Sequence, residues 1–269
     1  MILIKWEVKI NNMKKLTIIT IVLLIASQFI FGQTAHFTTS GVIEFEKTAN
    51  MFAIFQKSIN KDNESFLVPA FENFKKTQPQ FKKLKSTLTF ADNKTLFTPA
   101  EDDGEITGFW GNTVMITQNN NIFTDVVAST SIAQKKVFEA SFLVKDSTRK
   151  IKWKITDETR EIAGYTCRRA NALVLDSVYV VAFYTDKIPV SGGPESFTGL
   201  PGMILGLALP HENVSWFATK VTEMTIEPKA LTPPKKGKPL DNKGFHDTLI
   251  KTMKDWGEYA QKYLKAFSL

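Results

Sequence analysis

Two seven-residue runs constrain this chain more than any other feature: VYVVAFY at 178–184 and MILGLAL at 203–209. A strand sends successive side chains to opposite faces, so a run that is apolar at both parities must be covered on both faces. These runs therefore predict two central strands, covered on two sides by helices or by something bound. Around them the chain alternates more conventionally. Between Thr38 and Lys47, Thr39, Gly41, Ile43 and Phe45 fall on one side and Ser40, Val42, Glu44 and Glu46 on the other, a half-buried strand. LKSTLTF and TLFTP, split by Asp92-Asn93-Lys94, read as a hairpin. Further strands are predicted at Thr113–Thr117, Asn121–Val127, Lys136–Lys145, Lys150–Thr156, Ile162–Leu175, Ser177–Asp186 and Val214–Thr225. In Lys136–Lys145, Phe138, Ala140, Phe142 and Val144 are placed on one face and Glu139, Ser141 and Lys145 on the other.

Helical spacing appears in three places. Met51, Phe52, Ile54, Phe55 and Ile59 form one short amphipathic set, and Phe66, Leu67, Ala70, Phe71 and Phe74 a second, with Pro69 tolerated near its start. From Phe245 to Phe267, Leu249, Met253, Trp256, Tyr263 and other apolar residues recur at threes and fours, predicting one helix docked on the sheet by its aromatic stripe. The alternative for that stripe is contact with a membrane surface, as a peripheral membrane contact, or with a partner. Between sheet and helix, residues 228–244 carry four prolines and read as an extended tether. The predicted fold is mainly β (α+β): a large curved antiparallel sheet of about ten strands with two N-terminal helices and a C-terminal helix.

Composition narrows the chemistry. With 43% hydrophobic and 23% charged residues the chain is neither disordered nor a many-span membrane protein. A single cysteine, Cys167, excludes an internal disulfide and a thiolate-held cluster, and three histidines leave little for a metal site. No metal and no cofactor are predicted. From Met13, Lys14 and Lys15 precede the sixteen-residue apolar run Leu16–Phe31, and Gly32 ends it. This is the pattern of a secretory signal peptide, too short for a membrane span of roughly 20 residues. The leader is assigned to residues 1–32, with the stretch before Met13 read as an over-extended start. Those residues hold four lysines and one glutamate, so the rest of the chain carries +4 of the total +7. That excess does not argue for nucleic acid.

One passage carries a family resemblance. Gly199-Leu200-Pro201-Gly202-Met203-Ile204 resembles the motif for which the GLPGLI family is named, with Met203 in place of leucine. WKITDETREIAGYTCRRA at 153–170 and IPVSGGP at 188–194 are similar to the segments that precede that motif in the family. The resemblance covers about residues 37 to 225, and residues 33–227 are read as one GLPGLI-like domain. It implies an exported protein of Gram-negative bacteria, periplasmic or associated with the outer membrane. It supplies no catalytic residues, because the family has no settled activity.

The motif loop also has a local reading. Pro201 and Gly202 suit the central positions of a type II turn, Gly206 suggests a bulge or a close approach, and Gly192-Gly193-Pro194 marks another turn. The glycines either lock a tight loop onto the sheet or expose amides as an anion nest. On the second view Gly193, Pro194, Gly199, Leu200, Pro201 and Gly202 are the candidate binding residues. Cys167 reads as a buried core residue rather than a reactive thiol. Ser196 lacks the spacing of a nucleophile elbow for pairing with His211. Glu101-Asp102-Asp103-Gly104-Glu105 lacks the closing residues of a calcium loop. The predicted function is a non-enzymatic envelope protein that binds a lipid-like or apolar ligand, or an outer-membrane partner segment, in a curved-sheet groove like that of LolA-like half-barrels. The alternatives are a secreted hydrolase with an unrecognised site and a structural subunit of an outer-membrane complex.

Overall fold

The computed structural model describes residues 36–100, 113–117 and 119–269. The predicted leader and the acidic run Glu101–Glu105 lie outside the described residues. The fold below is that of the compact unit Phe37–Leu269.

Its elements are β1 (Gly41–Asn50), α1 (Met51–Gln56), α2 (Glu64–Thr77), β2 (Phe81–Ala91), β3 (Lys94–Pro99), α3 (Val114–Thr117), β4 (Asn121–Asp125), β5 (Thr130–Val137) and β6 (Ala140–Ser147). They continue with β7 (Lys154–Ile162), β8 (Tyr165–Val174), β9 (Val178–Thr185), β10 (Met203–Leu209), β11 (Val214–Glu223), β12 (Lys238–Leu240), α4 (Asn242–Thr252) and α5 (Glu258–Ser268). All twelve strands join one open curved sheet in the order β12-β6-β5-β4-β3-β2-β1-β11-β10-β9-β8-β7. Every pairing is antiparallel except that of β12 with β6, so the sheet is mixed.

One face carries the main core. Ile43, Phe45 and Ala49 of β1 are buried, and the register sets Leu88 of β2 beside Ile43 and Val214 of β11 beside Ala49. α1 and α2 close one end of this face. Asn50 caps α1 through its side chain, and Phe55 packs against Phe71 and Phe74 with ring centroids 5.0 and 5.4 Å apart. β9 and β10 are buried almost throughout, as their apolar runs predict. Their second cover is the chain itself: β7 lies against β11, bringing Ile162 over the sheet. Gly206 makes that approach possible. A Cβ there would meet the Phe217 ring at 2.8 Å and Ile162 at 2.9 Å, and the β9–β10 register shifts between Ile204 and Gly206. Of the two sequence expectations for Gly206 the bulge is met, and the close approach is made by side chains rather than by backbone.

Several expectations are corrected. Thr113–Thr117 is not a strand. Val114–Thr117 forms a single helical turn in which Ile116 and Thr117 amides bond the Thr113 carbonyl. The β-branched composition suggested a strand, but the short segment answers to tertiary contacts. Lys136–Lys145 and Ile162–Leu175 are not single strands either. The first turns at Phe138 and the second at Ala163-Gly164, with φ of +53°, +50° and +83°. Phe is not a residue expected at positive φ, so the first turn left no sequence signal; the second carried one in Gly164, paired with an alanine that normally avoids that region. The first of these turns also hid the strand Thr130–Val137.

Residues 228–244 are not a free tether. Leu231 packs on Ala91 and Phe123, on the face away from the main core. Lys238–Leu240 then adds to the sheet edge as β12, and Phe245 of α4 packs on Phe142 of the core face, ring centroids 5.5 Å apart. The segment thus wraps around one edge. The C-terminal helix docks as expected but is broken between Thr252 and Glu258, where Gly257 has φ +55°. The break turns both apolar stripes inward, burying Phe245, Leu249 and Met253 of the first part and Ala260 and Phe267 of the second. Trp256, expected as the buried anchor, falls in the break and is 38% exposed.

Truncating Met253 therefore costs more than truncating Trp256. Met253→Ala should lower stability by roughly 2–5 kcal/mol, as for buried large-to-small changes, and Trp256→Ala by clearly less. Denaturant midpoints of the two variants check this ordering.

Candidate functional site

The core face contains a feature that apolar packing does not require. Lys47 of β1 and Lys135 of β5 both point into it and are buried, although neither is an apolar residue. Each obeys the alternation of its strand: Lys47 follows Ile43 and Phe45 at intervals of two, and Lys135 lies between Ala133 and Val137. A buried ammonium must find acceptors, because leaving it unpaired costs several kcal/mol. Lys47 Nζ donates to the Ile116 carbonyl at 2.8 Å and lies 4.8 Å from the centroid of the Trp216 ring. Lys135 Nζ donates to the Phe267 carbonyl at 2.8 Å and lies 5.6 Å from that of Phe245. The turn α3 and the end of α5 are thereby tied to the sheet.

Glu195 supplies the charge partner. It sits in the loop between β9 and β10 with φ +54°, and its carboxylate accepts from Asn120 Nδ2 at 3.0 Å. The residue keeps some surface area, but its carboxylate lies in desolvated surroundings, which raise its pKa while Lys47, Asn120 and Lys135 oppose the rise. Burial lowers both lysines from 10.5 to about 8. For Lys47 the pull of Glu195 opposes the shift, and for Lys135 the charge of Arg149 adds to it. Arg149 Nη2 donates to the Ser268 carbonyl at 2.5 Å and Ser196 Oγ to the Leu269 carbonyl at 2.8 Å. Three consecutive main-chain oxygens, of Phe267, Ser268 and the C-cap Leu269, are thus held by Lys135, Arg149 and Ser196. The negative end of the helix dipole meets the excess of positive charge.

This cluster was missed from sequence, yet its signal was present in two lysines in phase with apolar faces. The candidate loop residues are placed differently from a ligand nest. Gly193 lies against Ile204, Pro194 and Leu200 are buried, and Pro201 and Gly199 are exposed. The loop braces itself. Gly199 N donates to Ser191 Oγ, Phe197 N to the Pro194 carbonyl and Met203 N to the Ile188 carbonyl, while Trp153 Nε1 donates to the Thr198 carbonyl at 3.0 Å. The Pro201–Gly202 turn is tighter than the type II turn expected. Gly202 N donates to the Leu200 carbonyl at 2.8 Å, an i to i+2 bond around Pro201. Gly202 does have positive φ, +150°, and a Cβ there would meet the Thr185 carbonyl oxygen at 2.1 Å.

Ser196 and His211 are not paired. Ser196 serves α5, and the His211 ring lies 6.1 Å from that of Tyr179. Cys167 is fully buried, and desolvation, with the nearby charge of Glu161, pushes its thiol up to about 12, the core role expected. Among the described residues no group of His, Cys, Asp and Glu is arranged to hold a metal ion, and no helix is long and apolar enough to cross a membrane.

A groove of about 480 Å³ opens at the rim, where β4 and β5 meet α3 and α5. Val114, Phe138 and Phe267 form its apolar part. Thr117, Asn119, Asn121, Gln134 and Lys136 form the remainder. The register pairs Asn121 with Gln134, so their side chains share one face of the sheet.

Comparison with known proteins adds the following. A family model described as "Protein of unknown function (Porph_ging)" matches residues 173–206, from the end of β8 through β9 and the motif loop into β10. No curated protein matches the chain. Among solved structures it is similar to PNGF-II in a P21 crystal form, with TM-score 0.48 and 17% identity over 78% of this chain and 33% of that one. The C2 form of PNGF-II gives TM-score 0.48 and 15% identity over 77% and 32%. An uncharacterised conserved protein from Thermus thermophilus gives TM-score 0.37 and 4% identity over 76% and 91%. The chain spans about a third of the length of PNGF-II.

Two predictions follow from this geometry. Gly202→Ala should lower stability by more than about 1 kcal/mol, since strain at positive φ adds to a backbone clash; its thermal midpoint is the measurement. The second concerns pH. Between about 8 and 10.5 the unfolded chain keeps the Lys135 proton that the folded protein has lost, so stability rises with pH across that window. Lys135→Met removes this lysine's share, on the order of 1–3 kcal/mol. Denaturant midpoints at pH 7.5 and pH 10 should rise more in the parent than in the variant, and an equal response would contradict the burial of a charge.

Proposed function

We propose that this chain is an exported, non-enzymatic binding protein of the Gram-negative cell envelope, that it belongs to the GLPGLI family, and that it holds a ligand or partner segment in the rim groove. The export reading rests on the charged start and apolar run at 14–31, and the family reading on the motif at 199–204. The observation that carries the binding reading is the groove itself, whose described lining joins an apolar wall to hydrogen-bonding side chains.

The lining also refines the ligand. Among the described residues, the side-chain amides of Asn119, Asn121 and Gln134 have no hydrogen-bond partner. Covering each with an alkyl chain would cost roughly 1–3 kcal/mol, against about 0.8 kcal/mol gained per buried methylene. Three such penalties would offset much of an acyl chain's gain. A ligand that presents both apolar and hydrogen-bonding groups suits this groove better than a purely lipid-like one.

Expression in a Gram-negative host tests the address. The protein should fractionate with the envelope, and its mass should show loss of everything before about residue 33. A cytoplasmic protein that retains Leu16–Phe31 would overturn the export reading. For binding, thermal-shift measurements against lipid, peptide and saccharide fractions of envelope extract should show a raised midpoint with one of them. A midpoint unmoved by all three would overturn the groove reading.

A further inference from the structure

We infer that the rim groove is a saccharide site, in which the Asn121–Gln134 pair reads ring hydroxyls and the Phe138 ring stacks on a sugar's apolar face. The inference rests on the binding reading above and names its ligand class. A side-chain amide offers a donor and an acceptor side by side in one plane, which matches two neighbouring hydroxyls of a sugar ring. Asn121 and Gln134 are direct cross-strand partners, so their amides stand adjacent on a rigid sheet surface rather than on a loop. Asn119, just before β4, adds a third. These three amides have no other partner among the described residues.

Phe138 is the second, independent observation. It occupies a tight hairpin turn with φ +53°, a position suited to Asn, Asp or Gly and unfavourable for a bulky side chain. The ring held there at local cost is 40% exposed and lines the groove. Trp256 and Tyr263 buttress it, with ring centroids 5.4 and 6.2 Å from its own and 5.1 Å from each other. This also accounts for the half-exposed Trp256 in the helix break. A sugar has one C–H-rich face that stacks on an aromatic ring and a perimeter of hydroxyls that amides recognise. Rigid aromatic area beside satisfiable polar groups is what such a ligand needs. The groove volume of about 480 Å³ lies within the roughly 300–1,000 Å³ of small-ligand sites. An alkyl chain would strand the amides, and a bound anion would need more positive charge than Lys136 supplies among the described lining residues.

The test uses the exported full chain and saturation-transfer NMR against chitotriose, maltotriose, mannotriose and a sialylated trisaccharide. At least one should show transfer and bind with a dissociation constant in the millimolar range or tighter. Asn121→Leu and Gln134→Leu, both on the groove face, should each weaken that binding at least tenfold while leaving the thermal midpoint within a degree or two. Phe138→Asn, which suits the turn, should abolish binding while the protein stays folded. If none of the four saccharides binds while a hexadecanoate micelle or an amphipathic peptide does, and Gln134→Leu tightens it, the groove binds a ligand but the saccharide inference is wrong. If saccharide binding survives Asn121→Leu, Gln134→Leu and Phe138→Asn unchanged, the site assigned here is wrong. If no class of probe binds, the binding reading fails along with it.

Discussion

Two of the three lysines buried on the apolar side of the sheet, Lys47 and Lys135, set the terms for what is placed over that side, the third being Lys82 of β2. Strand alternation commits Lys47 and Lys135 inward, and neither can be left without acceptors. Three segments distant in sequence meet that demand. The turn α3 offers the Ile116 carbonyl and α5 that of Phe267 as acceptors, while the loop between β9 and β10 contributes the charge of Glu195. Each is a piece of chain whose local propensity is weak: a four-residue turn, a loop rich in glycine and proline, and a helix entered through Gly257. A buried charge is a poor source of net stability but a strong selector of arrangement, since a misplaced loop would leave an ammonium bare. On this view the lysines specify how the interior is filled, while the phenylalanine cluster and the β9–β10 core supply most of the apolar burial.

The motif loop takes its meaning from the same constraint. Its glycines and its internal hydrogen bonds hold a strained backbone with Glu195 at positive φ, whose charge acts on both lysines. The loop has no room for side chains at Gly193 and Gly202, which accounts for these two glycines without invoking a ligand. The surface available for binding lies instead at the rim, where the sheet supplies polar side chains that the interior does not use.

What the sequence revealed and what it hid divide along physical lines. β9 and β10 were legible because burial on two faces leaves no polar residue in the run. α1, α2 and the apolar stripe of the C-terminal segment were legible because helical periodicity survives in any context. The hairpin at Phe138 was not, because its turn uses a residue that normally avoids positive φ, and at Ala163-Gly164 the glycine signal stood inside a run of alternating residues. The course of residues 228–240 was also hidden. Proline counts exclude a helix or an interior strand but say nothing about where an extended chain docks. The groove was illegible for a different reason. Asn121, Gln134 and Phe138 belong to three separate stretches of strand and turn, and only register brings them together.

The two edges of this long sheet show how an open architecture avoids pairing with other chains. An unpaired strand is a template for association unless it is short, charged, irregular or covered. β7 is largely exposed and carries Lys154, Asp157, Glu158, Arg160 and Glu161, with a register shift between Ile155 and Thr159. Its side chains are spent on ion pairs such as Arg169 with Glu158. The other edge is closed by β12, three residues long with Pro239 at its centre, which lacks a donor to offer a further strand. That solution has a consequence for the rim. Because the chain must pass from the outer face around β6 to reach the core, α4 and α5 arrive beside β5. The break at Gly257 lets α5 end on Lys135 while leaving Trp256 beside Phe138. The same route that seals the edge and neutralises a buried lysine therefore builds one wall of the groove.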